Sequence, residues 1–203
     1  MSLPILYGNR ESGHSYKAKL ALTLLGFDHE YREVDVVTQP REQRRADFRA
    51  VSPYGEVPVF VENRVALAQS NAILLHLAKR TGRLGGELDQ DQLTQWLFWE
   101  ANRIGISVPN LRHIVKWAPE TPEPVQAWLR ARAVADLDHL SRQLATRAFI
   151  LGSHVTVVDV SCCAYLFWAD QTRIDLSDWP HVVAWLNRIS ALPGWRAPYD
   201  LMK

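Results

Sequence analysis

The first eighty residues alternate between short apolar segments and segments whose apolar residues recur at helical spacing. Residues 3–7 form an apolar run that predicts a strand, and the repeat in 15–25 predicts a helix that Gly26 ends as a C-terminal cap. Residues 31–36 predict a second strand. A strand–helix–strand unit crosses over right-handed, so these two strands are expected to be parallel neighbours.

The pattern then continues through a charged segment and a hairpin. Residues 41–50 predict a charged helix in which Phe48 is the single large apolar side chain. Two short strands, 57–61 and 65–68, are expected to pair as an antiparallel hairpin, and 70–79 predicts an amphipathic helix. The order βαβ–α–ββα predicts a small mixed sheet covered by helices.

A glycine-rich break separates this half from a second half in which every periodic segment is helical. The second half opens with one long helix from 89 to about 117, followed by another over 122–144 and three shorter helices. We therefore predict an α/β domain over 1–80, a linker over 81–88 and an all-α domain over 89–203.

Composition excludes several classes of function. The chain has 203 residues, 47% of them hydrophobic, and a net charge of +1, which gives no basic surface for nucleic acid or an anionic membrane. The N-terminus lacks a signal sequence, and the longest apolar run, 160–169, is too short to span a bilayer. Adjacent Cys162 and Cys163 are expected to be reduced core residues, and the histidines show no metal-site spacing. These features predict a cytoplasmic protein without a metal.

The turn 8–15, between the first strand and the first helix, is the first candidate for chemistry. Its amides and the helix dipole would stabilise a thiolate or carboxylate, but the turn has no cysteine, so a thiol must come from a bound cofactor. Ser12 and Ser15 are the candidate hydroxyls, with Ser15 at the expected N-cap. Tyr7 is either a phenol donor or a packing residue, and His14 either tunes ligand protonation or is a partly exposed helix-start residue.

A second candidate is a pair of short segments that suits a peptide ligand. Pro58 belongs at the head or edge of a strand, which leaves the backbone of Val57 free to bond a ligand. Gln69 and Ser70 open the next helix, whose N-terminus attracts a carboxylate. Together they would hold a small extended peptide by its backbone and its carboxylate.

Two further polar groups have structural explanations. Thr156 and Asp159 form a capping box, so Asp159 is expected to be a helix cap and not a catalytic acid. A basic face is formed by Arg41, Arg44, Arg45 and Arg49. It is either a solvated face or a screen that attracts an acidic peptide.

Taken together, these segments resemble the cytosolic glutathione transferase family. The resemblance covers the whole chain and rests on Leu6-Tyr7, Ser12-Gly13-His14-Ser15-Tyr16-Lys17-Ala18-Lys19, Val57-Pro58-Val59, Gln69-Ser70-Asn71-Ala72-Ile73 and the Thr156/Asp159 capping box. It implies a thioredoxin-like N-terminal domain, an all-α helical-bundle domain and a cytoplasmic homodimer. It also implies that glutathione is the co-substrate.

The resemblance implies roles for particular residues. Pro58 would be a cis-proline, and Val57 would bond the cysteinyl backbone of glutathione. Ser12 would take the place of the catalytic hydroxyl of the serine-type classes, such as bacterial theta- and zeta-like members, and would bond the sulfur. The implied glutathione-binding set, in which Gln69 and Ser70 hold the γ-glutamyl end, is Val57, Pro58, Gln69, Ser70, His14 and Gln43.

The implied reaction is attack of the glutathione thiolate on a small hydrophobic electrophile. Residues 96–103 and the region of Trp195 are candidates for the apolar wall of that site. The alternatives are a glutathione-dependent isomerase or peroxidase on the same site, and a non-catalytic protein-binding module. The turn Ser12-Gly13-His14 departs from the Ser-Ser-Cys of the zeta class, which argues against maleylacetoacetate isomerisation, and Glu56 stands where some relatives carry Lys.

Overall fold

The computed structural model describes residues 3–203, which divide into two compact units. Among these described residues, the first unit comprises 3–87 together with Pro193–Lys203, and the second comprises Leu88–Leu192. The sequence interpretation kept all residues beyond 89 in one helical domain. The structure instead assigns the C-terminal segment, residues 193–203, to the first unit.

The first unit contains a four-stranded sheet. Its strands are β1 (Ile5–Gly8), β2 (Glu30–Glu33), β3 (Val59–Glu62) and β4 (Val65–Ala68), in the order β2-β1-β3-β4. β1 and β2 are parallel, whereas β3 is antiparallel to both β1 and β4. The predicted element order and the predicted mixed sheet are confirmed.

Residues 3–203 contain nine α-helices, numbered along the chain. They are α1 (Gly13–Leu25), α2 (Ala46–Val51), α3 (Ser70–Thr81), α4 (Gln90–Asn102), α5 (Ile104–Trp117), α6 (Glu123–Leu144), α7 (Val157–Cys163), α8 (Pro180–Ser190) and α9 (Pro198–Leu201). The first three and α9 lie in the first unit, and the others lie in the second. Among the described residues, no helix is both long and apolar enough to cross a membrane.

Local turn chemistry explains two features that the sequence predicted correctly. Gly26 ends α1 in the left-handed conformation, with φ of 64°, and its N–H bonds the carbonyls of Leu22 and Thr23. The hairpin between β3 and β4 turns through Asn63 and Arg64, which have φ of 48° and 66°. Two successive positive φ angles are the signature of a tight turn whose twist suits a hairpin.

One predicted element of the first unit is corrected. The segment 41–50 is not one helix: a 3₁₀ turn, Arg41–Gln43, precedes the short α2. No residue of the 3₁₀ turn is buried, whereas α2 buries Phe48, the one large apolar side chain of the segment. Phe48 is fully buried with Tyr7 and Val59 on one face of the sheet.

A second correction lies in the second unit. The helix predicted from 89 to 117 is broken at Arg103, whose φ and ψ of −121° and −103° are not helical. The Arg103 Nε donates to Asp136 on α6 at 2.8 Å, and Gly105 follows where a Cβ would lie 2.7 Å from the backbone carbonyl oxygen of Glu100. The break is therefore fixed by a distant carboxylate and a close backbone approach, while the apolar pattern continues through it.

The predicted capping box at the start of α7 is confirmed. The Thr156 hydroxyl accepts from the backbone of the first turn, and the Asp159 carboxylate accepts from the Thr156 N–H at 2.8 Å. Asp159 also accepts from the N–H of Ile150 at 2.8 Å and from the indole of Trp185 at 2.9 Å. Asp159 is fully buried, and its carboxylate joins three segments of the second unit.

Candidate active site

The register of the sheet brings three polar segments to one edge. Aligned across β1, β3 and β4 are Tyr7, Val59 and Ala68. The turn containing Ser12 follows β1, Val57–Pro58 precede β3, and Gln69–Ser70 follow β4. Since β3 is antiparallel to the other two, all three segments leave the sheet at the same edge.

The turn after β1 is held by Asn9, which is almost completely buried. Its Oδ1 accepts from the Glu11 N–H at 2.9 Å, and its Nδ2 donates to Glu33 Oε1 at 3.1 Å and to the Val34 carbonyl at 2.9 Å. Glu33 also accepts from the Arg10 N–H at 3.0 Å. Sequence reasoning missed Asn9, although an Asn directly after a strand is a turn signal.

The structure assigns the cap of α1 to Ser12. Its Oγ accepts from the Ser15 N–H at 3.1 Å, and its backbone is extended. The expectation that Ser15 caps this helix is wrong, because α1 begins at Gly13. Ser15 is instead fully buried within the first turn, where its Oγ accepts from the Asn9 N–H at 3.2 Å. A serine that accepts a cap bond still has its O–H to donate, so Ser12 has a donor at a helix N-terminus.

Tyr7 is a packing residue. Its hydroxyl donates to Asp47 Oδ2 and accepts from Arg32, both at 3.2 Å, and its ring packs on Phe48 with centroids 5.7 Å apart. Burial raises the pKa of Tyr7 above its ordinary value, while the Arg45 guanidinium holds the pKa of Asp47 at about 2. The phenol therefore belongs to an ion network at α2.

The Val57–Pro58 peptide bond is cis, which confirms the prediction. The connection that leads to it is held by Arg44, whose guanidinium donates to the carbonyls of Gln39, Val36 and Gly55. Sequence reasoning placed Arg44 on a basic face, but its charge is used to hold backbone together just before the cis bond.

The start of α3 has an unusual backbone. Gln69, directly before the helix, has φ of 70°, a conformation that a residue with a side chain rarely adopts and that is concentrated at functional sites. Ser70 is the first helical residue and is 8% exposed. The ammonium of buried Lys17 donates to Asn71 in the same turn at 2.8 Å. A helix N-terminus with a cation beside its first turn favours a carboxylate.

His14 and Gln43, the other two residues of the expected glutathione-binding set, do not lie in the three segments at the sheet edge in the same way as each other: one is in α1 and the other is in a separate 3₁₀ turn. His14 lies in the first turn of α1, partly buried. Gln43 is exposed in the 3₁₀ turn between β2 and β3, where its N–H bonds the Pro40 carbonyl at 3.0 Å. The strand register brings Ser12, Val57–Pro58 and Gln69–Ser70 to one edge but does not fix the position of Gln43.

The aromatic residues proposed for an apolar wall fall in both units. Trp96 and Trp99 on α4 pack with each other at 5.2 Å and with His139 on α6 at 5.5 and 5.1 Å. Burial lowers the pKa of His139, which favours its neutral form. Phe98, also on α4, is 71% exposed. Trp195 lies in the C-terminal segment and so belongs to the first unit. Across residues 3–203 no group of His, Cys, Asp or Glu is arranged to hold a metal ion.

Comparison with known families identifies the chain. Residues 4–79 match the glutathione S-transferase N-terminal domain, and residues 101–188 match the glutathione S-transferase C-terminal domain. These matches cover most of the chain, which therefore belongs to the glutathione S-transferase family. Its fold is the thioredoxin-like domain with a helical C-terminal domain that this family has.

Individual relatives have different activities. A glutathione S-transferase structure from Pseudomonas fluorescens Pf-5 is 32% identical, with a TM-score of 0.90 over 98% of this chain and 100% of that one. A disulfide-bond oxidoreductase of Escherichia coli K12 is 27% identical over 201 residues, covering 94% of this chain and 91% of its own. A maleylacetoacetate isomerase of Rattus norvegicus is 24% identical over 182 residues, covering 88% and 84%.

Proposed function

We propose that this protein is a glutathione transferase in which Ser12 activates the thiol of bound glutathione. The observation that carries this proposal is the position of Ser12 as the N-cap of α1, on the sheet edge where Val57–Pro58 and Gln69–Ser70 also lie. Its oxygen already accepts from Ser15, so the hydroxyl hydrogen can be directed at a sulfur.

Glutathione is proposed to bind along that edge as an extended peptide. Its cysteinyl backbone pairs with the backbone of Val57, which precedes β3 and lies outside the paired residues Val59, Phe60 and Val61. Its γ-glutamyl carboxylate is held by Gln69 and Ser70 at the N-terminus of α3. His14 and Gln43 are proposed as further contacts, on the family resemblance alone.

Thiol activation follows from electrostatics. A free thiol with a pKa near 8.5 is only a few per cent ionised at neutral pH. One hydroxyl donor together with a helix N-terminus lowers such a pKa by about one to two units, at about 1.4 kcal/mol per unit. The thiolate then attacks the electrophilic carbon; with an aryl halide the carbon–sulfur bond forms, the carbon–halogen bond breaks, and the halide ion leaves with the electron pair. We further propose, from the same resemblance, a small hydrophobic electrophile and a cytoplasmic homodimer.

A second candidate is thiol–disulfide exchange through bound glutathione. It is favoured by the similarity to the Escherichia coli oxidoreductase over almost the whole chain. The turn between β1 and α1 has no cysteine, so the attacking thiolate would have to be that of glutathione. The same Ser12 would serve both reactions.

Calorimetric titration with glutathione, followed by assays of the glutathione-loaded protein, tests the proposal. We expect glutathione to bind and an aryl halide to be conjugated. Reduction of a small disulfide without conjugation of any aryl halide would replace the transferase by the second candidate. Failure to bind glutathione would reject both, and would favour a non-catalytic module that binds protein.

A further inference from the structure

The C-terminal segment, residues 193–203, is bonded to α1 and to the turn before it. The bonds run from the Tyr199 hydroxyl to Glu11 Oε2 at 3.0 Å, from the Tyr16 hydroxyl to the Arg196 carbonyl at 2.9 Å, and from the Lys19 ammonium to the Lys203 carbonyl at 3.2 Å. All these residues lie in the first unit. The segment therefore runs beside the helix whose N-terminus carries Ser12.

Of these bonds, the one to Glu11 lies next to the proposed catalytic hydroxyl. Glu11 directly precedes Ser12, and its backbone is fixed because its N–H donates to Asn9. Its side-chain carboxylate accepts from the phenol of Tyr199. The guanidinium of Arg10 lies over the ring of Tyr199, 5.5 Å from its centroid, which adds a cation–π contact to the same cluster.

We propose that Tyr199 is a positioning residue for the reaction: it holds the carboxylate of Glu11, the residue directly before Ser12, on the C-terminal segment. This inference rests on the proposed function. A carboxylate and a thiolate compete for the same positive helix terminus, and a like charge nearby raises a thiol pKa. By fixing the carboxylate, Tyr199 keeps the helix terminus and the Ser12 hydroxyl available to the sulfur.

Other charged groups surround this turn. Glu33 on β2 is bonded to the turn through Asn9 and Arg10, and Lys19 on α1 interacts electrostatically with Glu33 and with Arg196 of the C-terminal segment. Each of them contributes to the potential at the sulfur. Variants that change only the Tyr199 hydroxyl or the Glu11 charge leave these groups in place, so a difference between such variants reports on Glu11.

The thiol pKa of bound glutathione, measured from the ultraviolet absorbance of the thiolate, tests the proposal. For Tyr199→Phe we expect a rise of about half a unit, the effect of one charge several ångströms away in a water-like dielectric. Turnover at a pH below the thiol pKa should fall about three-fold and recover at high pH. Glutathione affinity should be unchanged, because the remote contacts of the ligand are intact.

Two matched variants separate this role from a loss of structure. Tyr16→Phe removes the other tyrosine bond to the C-terminal segment without touching Glu11, and should leave the thiol pKa unchanged. Tyr199→Phe combined with Glu11→Gln removes the misplaced charge, and should return the thiol pKa to the parent value or below it.

The outcomes distinguish the inference from the proposed function. If the parent binds glutathione and lowers its thiol pKa while Tyr199→Phe behaves like the parent, the positioning role is wrong and the function stands. The same conclusion follows if Tyr16→Phe shifts the pKa as much as Tyr199→Phe does, or if Glu11→Gln restores nothing. If all the variants and the parent fail to bind glutathione, the proposed function and this inference are both wrong.

Discussion

One oxygen atom, Ser12 Oγ, has both a structural and a proposed chemical role. Ser12→Ala should raise the thiol pKa of bound glutathione and lower turnover about ten- to a hundred-fold, since a hydrogen bond to a charged sulfur contributes about 1.5–3 kcal/mol. The same substitution should lower the free energy of unfolding by about 1 kcal/mol, because it removes the cap of α1. The pH–rate profile and urea unfolding measure the two effects separately.

Ser15→Ala is the control for that variant. It leaves the buried Asn9 N–H without its acceptor, so we expect a loss of about 1–3 kcal/mol of stability but no change in the thiol pKa. A shift of the thiol pKa in Ser15→Ala and none in Ser12→Ala would show that the wrong serine has been assigned.

Ser70 is expected to act on binding and not on turnover. A bond to the remote carboxylate of glutathione is made equally in the ground state and the transition state, so its loss raises KM and leaves kcat nearly unchanged. Ser70→Ala should weaken glutathione binding by about 1.5–3 kcal/mol in calorimetry. Ser190→Ala, in the second unit, should leave the affinity at the parent value. An unchanged affinity in Ser70→Ala would remove Ser70 from the site.

Because of Lys19, the free energy of unfolding should depend on pH in the alkaline range. Burial lowers the pKa of Lys19 to about 8, and its ammonium lies 3.7 Å from the centroid of the Tyr31 ring. The ordinary value is about 10.4, so between these two pH values the unfolded chain binds a proton that the folded chain lacks, and stability rises with pH. Urea unfolding at both ends of this range should show the rise in the parent and in Lys79→Met. Lys19→Met should lack it.

At the level of elements, the start of α1 shows where sequence patterns stop being informative. The apolar repeat begins at Tyr16, so the pattern supports a start near Ser15, and it correctly predicts the end at Gly26. The turn Gly13–Ser15 has no large apolar side chain, so the apolar pattern does not show that it is helical. Its conformation is fixed by Asn9 and Ser12, through bonds that depend on the turn already being folded.

The break between α4 and α5 has a similar cause. Both helices bury apolar residues, so periodicity runs through Arg103 without interruption. The group that fixes the break is Asp136, which is distant in sequence and 1% exposed. Binary patterning records which faces are buried, but it does not record an ion pair between two helices.

The cap of α7 was predictable because Thr156 and Asp159, which bond to each other, lie three residues apart in the sequence. Asp159 has two further partners that are more distant in the sequence. These two partners, the Ile150 N–H and the Trp185 indole, bind Asp159 to segments outside the capping box. Asp159→Ala would leave three buried N–H groups without an acceptor, and we expect a loss of about 3–5 kcal/mol in urea unfolding. Thr156→Ala should cost only about 1 kcal/mol. Equal, small losses would mean that the long-range bonds contribute nothing.

At the scale of the whole molecule, the change from mixed to helical patterning after residue 81 predicted two domains of different class. It did not predict that the chain ends in the first unit. The C-terminal helix α9 has only four residues, too few to show a period, and it packs against α1. Short motifs pointed to the segments that the sheet brings to one edge, but they gave no sign that the C-terminal segment bonds to the turn containing Ser12.

Because residues 193–203 belong to the first unit, we expect the stability of that unit to depend on the C-terminal segment. Leu201 and Met202 are 5% and 3% exposed, and α9 packs against α1. Replacing both by alanine should lower the stability of the first unit by about 3–6 kcal/mol, from lost burial and the cavity left behind. Hydrogen exchange should show the loss of protection in α1, while α6 keeps the protection that it has in the parent.

The neighbouring ion pair provides the matched control. Lys203 and Asp200 are both exposed, and their 2.7 Å contact should contribute little in water. Asp200→Asn combined with Lys203→Met should therefore exchange like the parent in both units. If the alanine pair opened α6 before α1, the C-terminal segment would be supporting the second unit, and its assignment to the first would be wrong. If α1 opened first, the C-terminal segment would be shown to stabilise α1 and, with it, the turn that carries Ser12.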